Sequence, residues 1–333
     1  MLLTDPENYD KIYNMNTKFY KDPTFYTRAG AATALFSITS NEEHRQYRAI
    51  FNPFFSRRSV LEQEHVVQNK VAKLMARVEA DSERGVRTDI AMGFRAVSVD
   101  VISEYMFGVS WNSLDRDDLG GWFNTLARTV VPMMYVFQIA PVLQAPMQAM
   151  PPWLAKMANP IVSGMMDMLE VIKKDVERVV HEVNNGVEPE RGTIYHTIMN
   201  PSAPKTEDYQ TPSIQHMVDE GFGFLGAASE TAGNAMTMCA FHALRDKTVH
   251  SKLHKELVDA FPDPTKMSFL TLEKLPYLTG VVKEGTRLSY GVLHPLPRVV
   301  PEVTVFNGHV LEKGVCLNDT KYPLPLSNAS MKT

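Results

Sequence analysis

Cysteine is nearly missing from this sequence. Only Cys239 and Cys316 occur in 333 residues, which excludes a disulfide framework and a four-cysteine zinc site and fits a reducing compartment. A surplus of one charge is missing too. The 34 Lys and Arg against 38 Asp and Glu leave a net charge of −4, so electrostatics give no case for nucleic-acid binding. No apolar run is unbroken for the ~20 residues that a membrane-spanning helix needs. The most apolar stretch, 129–157, is interrupted by Pro132, Pro141, Pro146, Pro151 and Pro152 and reads as a broken segment at a surface or channel mouth. Met1-Leu2-Leu3 gives way at once to Thr4-Asp5-Pro6-Glu7, too short an apolar start for a signal peptide. No internal repeat is present. What remains is a hydrophobic content of 44% with 22% charged residues, the composition of a globular chain long enough for one large core or two modest ones.

Periodicity points to helices through most of the chain. Asn41 to Ser56 predicts a short helix capped by Ser40 or Asn41 and ended at Asn52-Pro53. Ser59 to Glu83 predicts one long amphipathic helix with Val60, Val67, Val71, Leu74 and Val78 on a face. Further helices are expected over 89–107, closed by Gly108, over 115–130, and over 162–184, stopped by Asn185-Gly186. A short helix or turn is expected over 192–199 and an exposed loop over 201–212. Thr211 or Ser213 caps a helix that runs to Leu244. Its middle has almost no surface-type residue, so it reads as a long central buried helix with Ser229, Glu230, Thr231 and Asn234 inside. Helices over 248–261 and 271–288 follow. Only 299–315 is β-like, a hairpin around Asn307-Gly308. The fold class is mainly α with a small β portion.

Several residues carry potential chemistry. Glu230 and Thr231 lie among Gly226, Ala227, Ala228, Ala232 and Gly233, so a flat group can rest on a thinned helix beside a proton-relaying acid and hydroxyl. The plainer reading is a threonine bonding back to its own helix beside a salt-bridged glutamate. Glu284 and Arg287, three apart on one helix face, read either as a surface ion pair or, given the apolar residues around them, as an inward-facing one. His44, Arg45 with Arg48, and Arg298 are cations able to clamp carboxylates, or a solvated basic face. His250 and His254 have helical metal-ligand spacing, but the lysines around them favour a solvated face. Asp115-Arg116-Asp117-Asp118 lacks the spacing of an acidic metal motif, which disfavours a terpene cyclase.

Taken in order, these strings resemble the cytochrome P-450 family, haem-thiolate monooxygenases. Asp5-Pro6-Glu7-Asn8-Tyr9-Asp10 looks like the family's segment after its first sheet. His44-Arg45-Gln46-Tyr47-Arg48 with Asn52-Pro53-Phe54-Phe55-Ser56 is similar to its propionate-binding helix. Ala227-Ala228-Ser229-Glu230-Thr231-Ala232 resembles its oxygen-binding groove, with Ala228 for the usual Gly and Ala232 for a second Thr. Glu284-Gly285-Thr286-Arg287 matches Glu-x-x-Arg, and Pro297-Arg298-Val299-Val300-Pro301 resembles the strand entry of fungal members. The nearest subgroup is the fungal microsomal type, like trichodiene oxygenase or benzoate hydroxylase.

The resemblance implies an incomplete cytochrome P-450 fold over 1–314, with 315–333 a divergent, disordered tail. It implies haem as cofactor, Thr231 and Glu230 in proton delivery, and Ala227 and Ala228 against the haem. His44, Arg45 and Arg298 would meet its propionates, and Glu284 and Arg287 would scaffold the ligand loop. Met133 to Met168 resembles a substrate roof that touches the membrane surface. Partners would be O2, a small apolar terpenoid or aromatic substrate and an NADPH-cytochrome reductase, at the cytosolic face of the endoplasmic reticulum membrane. Without an anchor the chain itself would be cytoplasmic. The Phe-x-x-Gly-x-x-x-Cys loop that supplies the axial thiolate is not in the chain, so a truncated, inactive product is expected. The alternative is a non-catalytic helical remnant or interaction fragment.

Overall fold

The computed structural model describes residues 2–3, 7–28, 31–121, 123, 136, 142, 151, 153–154, 157, 160–187, 192–199, 211–290 and 296–319. The chain divides into two compact units, Met1–Gln46 with Val292–Thr333, and Tyr47–Gly291.

The first unit holds strands β1 (Leu2–Leu3), β2 (Tyr20–Lys21), β3 (Arg298–Val299), β4 (Thr304–Phe306), β5 (His309–Leu311) and β6 (Cys316–Asp319). Helices α1 (Glu7–Tyr13) and α2 (Pro23–Tyr26) accompany them, and helix α3 (Asn41–Phe51) begins there. Asp22 caps α2 through the Phe25 amide, and Pro23 sits in its first turn, the placement each residue type favours. A four-stranded sheet runs β1-β6-β3-β2, with β1 and β6 parallel and the other pairs antiparallel. The expected hairpin is β4–β5, turned by Asn307 and Gly308 at φ of 51° and 81°, the left-handed pair that a two-residue turn requires. Two expectations change here. Val299 pairs with Tyr20 and Cys316 rather than within the hairpin. Cys316–Asp319, expected in the disordered tail, form a strand. Leu317 explains it: this side chain is wholly buried in a cluster with Ile12, Phe19, Val300, Phe306 and Leu311. A strand of four residues is too short for an alternating pattern to be read from sequence. The rest of the tail, 320–333, lies outside the described residues.

The second unit is helical: α4 (Arg57–Glu62), α5 (Glu64–Glu83), α6 (Ile90–Phe107), α7 (Pro160–Asn184), α8 (Ile194–Met199), α9 (Ile214–Arg245), α10 (Lys247–Ala260), α11 (Phe269–Leu272) and α12 (Pro276–Leu288). Helix α9 is its axis and packs against α6, α7, α10 and α12. Ser213 accepts from the His216 amide to start α9, and Asp246 ends it while capping α10. Helix α6 closes at Gly108 with φ of 77°, as its sequence predicts, and Asp89, expected as its first residue, caps it instead. Beyond it, the buried Asp100 carboxylate accepts from the amides of Ser113 (2.6 Å) and Leu114 (3.1 Å), which fixes a 3-10 turn over Ser113–Asp115. Burial pushes the Asp100 carboxyl up, and the two amides oppose that rise. This turn replaces the start of the helix expected over 115–130, and residues 124–130 lie outside the described set.

Helix boundaries shift where a cap outweighs periodicity. The single helix expected over 59–83 is two, because Ser56 caps α4 and the chain restarts after Gln63. The helix expected from Thr271 starts at Pro276. Its N-cap residue, Leu275, offers no side-chain bond. Glu256 of α10 does this work instead, accepting from the amides of Tyr277 (2.9 Å) and Leu278 (2.8 Å). Such caps satisfy amides that a helix leaves orphaned. The loop over 201–210 and most of the Met133–Met168 stretch before Pro160 lie outside the described residues.

Candidate active site

Helix α9 has two faces built from small residues for different reasons. Inward lie Gly221, Leu225, Ser229 and Gly233, all buried. A Cβ at Gly221 would stand 2.7 Å from Ile172 Cγ2, and one at Gly233 would stand 2.6 Å from Arg95 Cγ. Those glycines admit neighbouring helices. Between these positions Gly226, Ala227, Thr231 and Ala232 are exposed and Ala228 is partly buried; Ala227 and Thr231, four apart, share one face. A Cβ at Gly226 would meet nothing within 4 Å, so the strip is open. Thr231, expected inside, is therefore on an open face, and its hydroxyl donates to the Ala227 carbonyl at 2.7 Å. The helix is not apolar all round in its environment; a run of alanine and glycine looks the same in sequence whether it meets protein or a gap.

Glu230 borders this strip. Its carboxylate oxygens accept from Arg95 Nε (3.0 Å) and Nη2 (3.2 Å), and Arg95 Nη1 donates to Ala91 O (3.1 Å). The Arg95 side chain is 8% exposed and that of Glu230 33%. Forked guanidinium–carboxylate pairs of this kind fix geometry as well as charge. Sequence reasoning missed Arg95. Its signal was a single basic residue in the apolar run Ile90-Ala91-Met92-Gly93-Phe94-Arg95-Ala96-Val97, since a buried cation needs a partner. Asn234, one turn beyond, donates to Ser289 Oγ at 3.0 Å and ties α9 to the end of α12.

Glu284 and Arg287 correct the inward-facing expectation. They bond each other, Nε and Nη2 to Oε2 at 2.9 and 2.7 Å, with 60% and 48% of their side chains exposed. Arg287 holds the Glu284 carboxyl below the usual carboxylate range. The buried residue of α12 is Gly285, which rests on Cys239 of α9. That contact orients the helix and turns its charged residues outward.

In the first unit Arg298 is enclosed by aromatics. Its guanidinium lies 5.1 Å and 5.5 Å from the ring centres of Tyr13 and Tyr26, and Nη1 donates to Tyr26 Oη at 2.6 Å. Stacking and hydrogen bonding together hold a flat cation in one plane. On α3, Arg45 pairs with Glu42 at 2.9 Å with 63% of its side chain exposed, and His44 is partly buried. His250 and His254 are exposed, with parallel rings 6.0 Å apart, and among the described residues no three His, Cys, Asp or Glu are grouped to hold a metal.

The family model described as cytochrome P-450 matches residues 1–318. The chain belongs to the cytochrome P-450 family. Conidiogenone synthase PchP450 of Penicillium rubens is 30% identical over 301 residues, covering 90% of this chain and 59% of the relative. The cytochrome P-450 monooxygenase claJ of Penicillium crustosum is 32% identical over 308 residues, covering 90% and 68%. N-acetyltryptophan 6-hydroxylase ivoC of Emericella nidulans is 26% identical, covering 94% and 61%. Among solved structures, the haem domain of cytochrome P-450DA matches with a TM-score of 0.72 at 17% identity, covering 96% of this chain and 66% of that one. The chain thus spans about 59% of the length of the first of these relatives.

Haem is the cofactor of this family. The exposed side of α9 leaves open space for such a group, since Ala227 and Thr231 are exposed and nothing stands within 4 Å of a Cβ at Gly226. Neither thiol fits the iron. Cys239 sits at the α9–α12 crossing, its Sγ within 3.8 Å of Val281 O, and burial raises its pKa. Cys316 lies in β6 of the other unit, pushed up to about 11 by burial and then by its bond to Asp22. Cys239 is not on the open strip.

Proposed function

We propose that the protein is the larger part of a haem monooxygenase that oxidises a small apolar substrate, terpenoid or aromatic. Electrons would come from an NADPH-cytochrome reductase at the cytosolic face of the endoplasmic reticulum membrane. The observation that carries this reading is the open strip Gly226–Ala227–Thr231 bordered by the Arg95-held Glu230, within a chain whose family match runs over 1–318. Haem, when bound, supplies the activation of O2.

The chain's own residues have separable tasks. Ala227 and Ala228 leave room for a ring beside the helix. Thr231, its proton committed to Ala227 O, presents oxygen lone pairs to the strip and accepts a hydrogen bond there. Glu230, held by Arg95, keeps a carboxylate beside the strip that can take up or release a proton. Arg298, and His44 with Arg45, bind carboxylates. Glu284 and Arg287 brace the ligand-bearing segment. The aromatic side of the substrate proposal is supported by the N-acetyltryptophan hydroxylase among the relatives.

The second reading, a helical remnant without haem, is favoured by the placement of Cys239 in the α9–α12 contact and by the raised pKa of the Cys316 thiol. Titration with haem separates the two. Under the first reading the chain takes up haem but gives no thiolate-type Soret band on reduction under carbon monoxide, and supplying a segment with the axial cysteine restores the band. A chain that takes up no haem even with that segment supplied overturns the monooxygenase reading.

A further inference from the structure

We propose that Arg95 is a positioning residue for Glu230, and that position 233 is glycine in order to admit it. The proposal rests on the reading above for its purpose, though not for its geometry. Two of the three guanidinium nitrogens hold the carboxylate, at 3.0 and 3.2 Å, and the third is anchored to Ala91 O at 3.1 Å. Arg95 therefore cannot swing without losing three bonds. Its stem is pinned as well: a Cβ at residue 233 would stand 2.6 Å from Arg95 Cγ, 3.1 Å from its Cα and 3.3 Å from its N. Helix α6 thus approaches α9 one turn beyond Glu230 closely enough for a short reach. Both carboxylate oxygens are engaged on the α6 side, so the carboxylate is fixed at the edge of the strip and not free to fold across Ala227 or Thr231.

A lysine at 95 keeps the charge but not the fork, because an ammonium is a point donor. Charge alone therefore does not reproduce the arrangement. An alanine at 233 changes neither partner of the pair, yet pushes the arginine away. These two substitutions separate positioning from simple ion pairing, which R95K would satisfy.

The test is carboxyl 13C NMR of the glutamate-labelled chain, with the Glu230 signal assigned by its loss in E230Q. The expected result is a single Glu230 resonance that moves toward the exposed-glutamate position in R95K, R95Q and G233A, with far-UV circular dichroism unchanged. A Glu230 resonance unmoved in R95Q or in G233A, in a folded variant, overturns the proposal. Should G233A fail to fold, R95K carries the same decision. A second arm uses the chain loaded with haem, joined by the ligand segment and given a reductase. R95K then lowers the fraction of electrons ending in product several-fold, at unchanged substrate affinity. Unchanged coupling there overturns the positioning role. A protein that binds no haem in that arm removes the monooxygenase reading and leaves the carboxyl resonance to decide on Arg95.

Discussion

Replacing Gly285 with alanine tests whether the helix crossing sets the orientation of Glu284-Gly285-Thr286-Arg287. An ideal Cβ at 285 would lie 2.1 Å from Cys239 Sγ, 3.1 Å from its Cα and 3.2 Å from its Cβ. The thiol can rotate away, but the Cα and Cβ cannot, so α12 must lift from α9. Overpacking of this kind costs about 1–3 kcal/mol. Alanine in a helix interior returns up to about 1 kcal/mol relative to glycine, so G285A is expected to lose up to about 2 kcal/mol net. Gly280 provides the control on the same helix, because a Cβ there meets nothing within 4 Å; G280A is expected to gain up to about 1 kcal/mol. Urea denaturation measures both, as a shift in midpoint at constant m. Adding C239A to G285A removes the Sγ clash and keeps the backbone one, so it recovers part of the loss. A G285A protein as stable as G280A would refute the close crossing, and with it the reason given for the outward turn of Glu284 and Arg287.

Three further outcomes follow from other contacts. Glu256→Ala strips two amides at the start of α12 of their acceptor and is expected to cost about 1–2 kcal/mol in urea denaturation; a loss no larger than that of an exposed control such as Glu79→Ala would sink the cap. Thr88 and then Arg84 bond Asp81 and lower its pKa, so this carboxylate adds stability that is full above the ordinary carboxylate range and is lost as pH falls through its lowered value. Thr88→Val should therefore flatten the acid limb of the stability–pH curve, and an unchanged limb would contradict the assignment. Cys316, pushed up to about 11 by burial and then by Asp22, carries about a hundredfold less thiolate near neutrality than an ordinary thiol of its kind; alkylation should be correspondingly slow in the folded chain and normal in urea, and fast labelling of the folded chain would contradict its burial beside Asp22.

What could be read in advance was set by local chemistry. The cap at Ser213, one of the two residues offered for it, the stop at Gly108 and the Asn307-Gly308 turn are each decided within a few residues, and all stand where the sequence puts them. The breaks at Gln63 and Pro276 depend on capping choices between neighbours, and periodicity smooths over them. Cys316–Asp319 joins a sheet with partners near residues 2 and 298, a pairing no local pattern reveals. The motif residues of α9 were legible as types but not as directions: alanine and glycine served both faces, and only contact with Arg95 or with nothing tells them apart. Arg95 was hidden for the complementary reason, since its partner lies 135 positions away.

Glu284 and Arg287 make the last case, because their place in the described residues does not explain their identity by stability. Each is the other's bonding partner and both are well exposed, and exposed pairs three apart contribute little after screening and side-chain ordering. Glu284→Gln is therefore expected to leave the urea midpoint of this chain where it is, in both low and high salt. The same substitution in a longer protein, where further segments could desolvate the pair, would leave the Arg287 cation without its neutralising partner, and breaking a buried pair is strongly destabilising. The contrast between the two measurements is the diagnostic. A large loss in this chain would mean the pair already braces the helical unit. No loss in either would mean the residues answer to something other than folding.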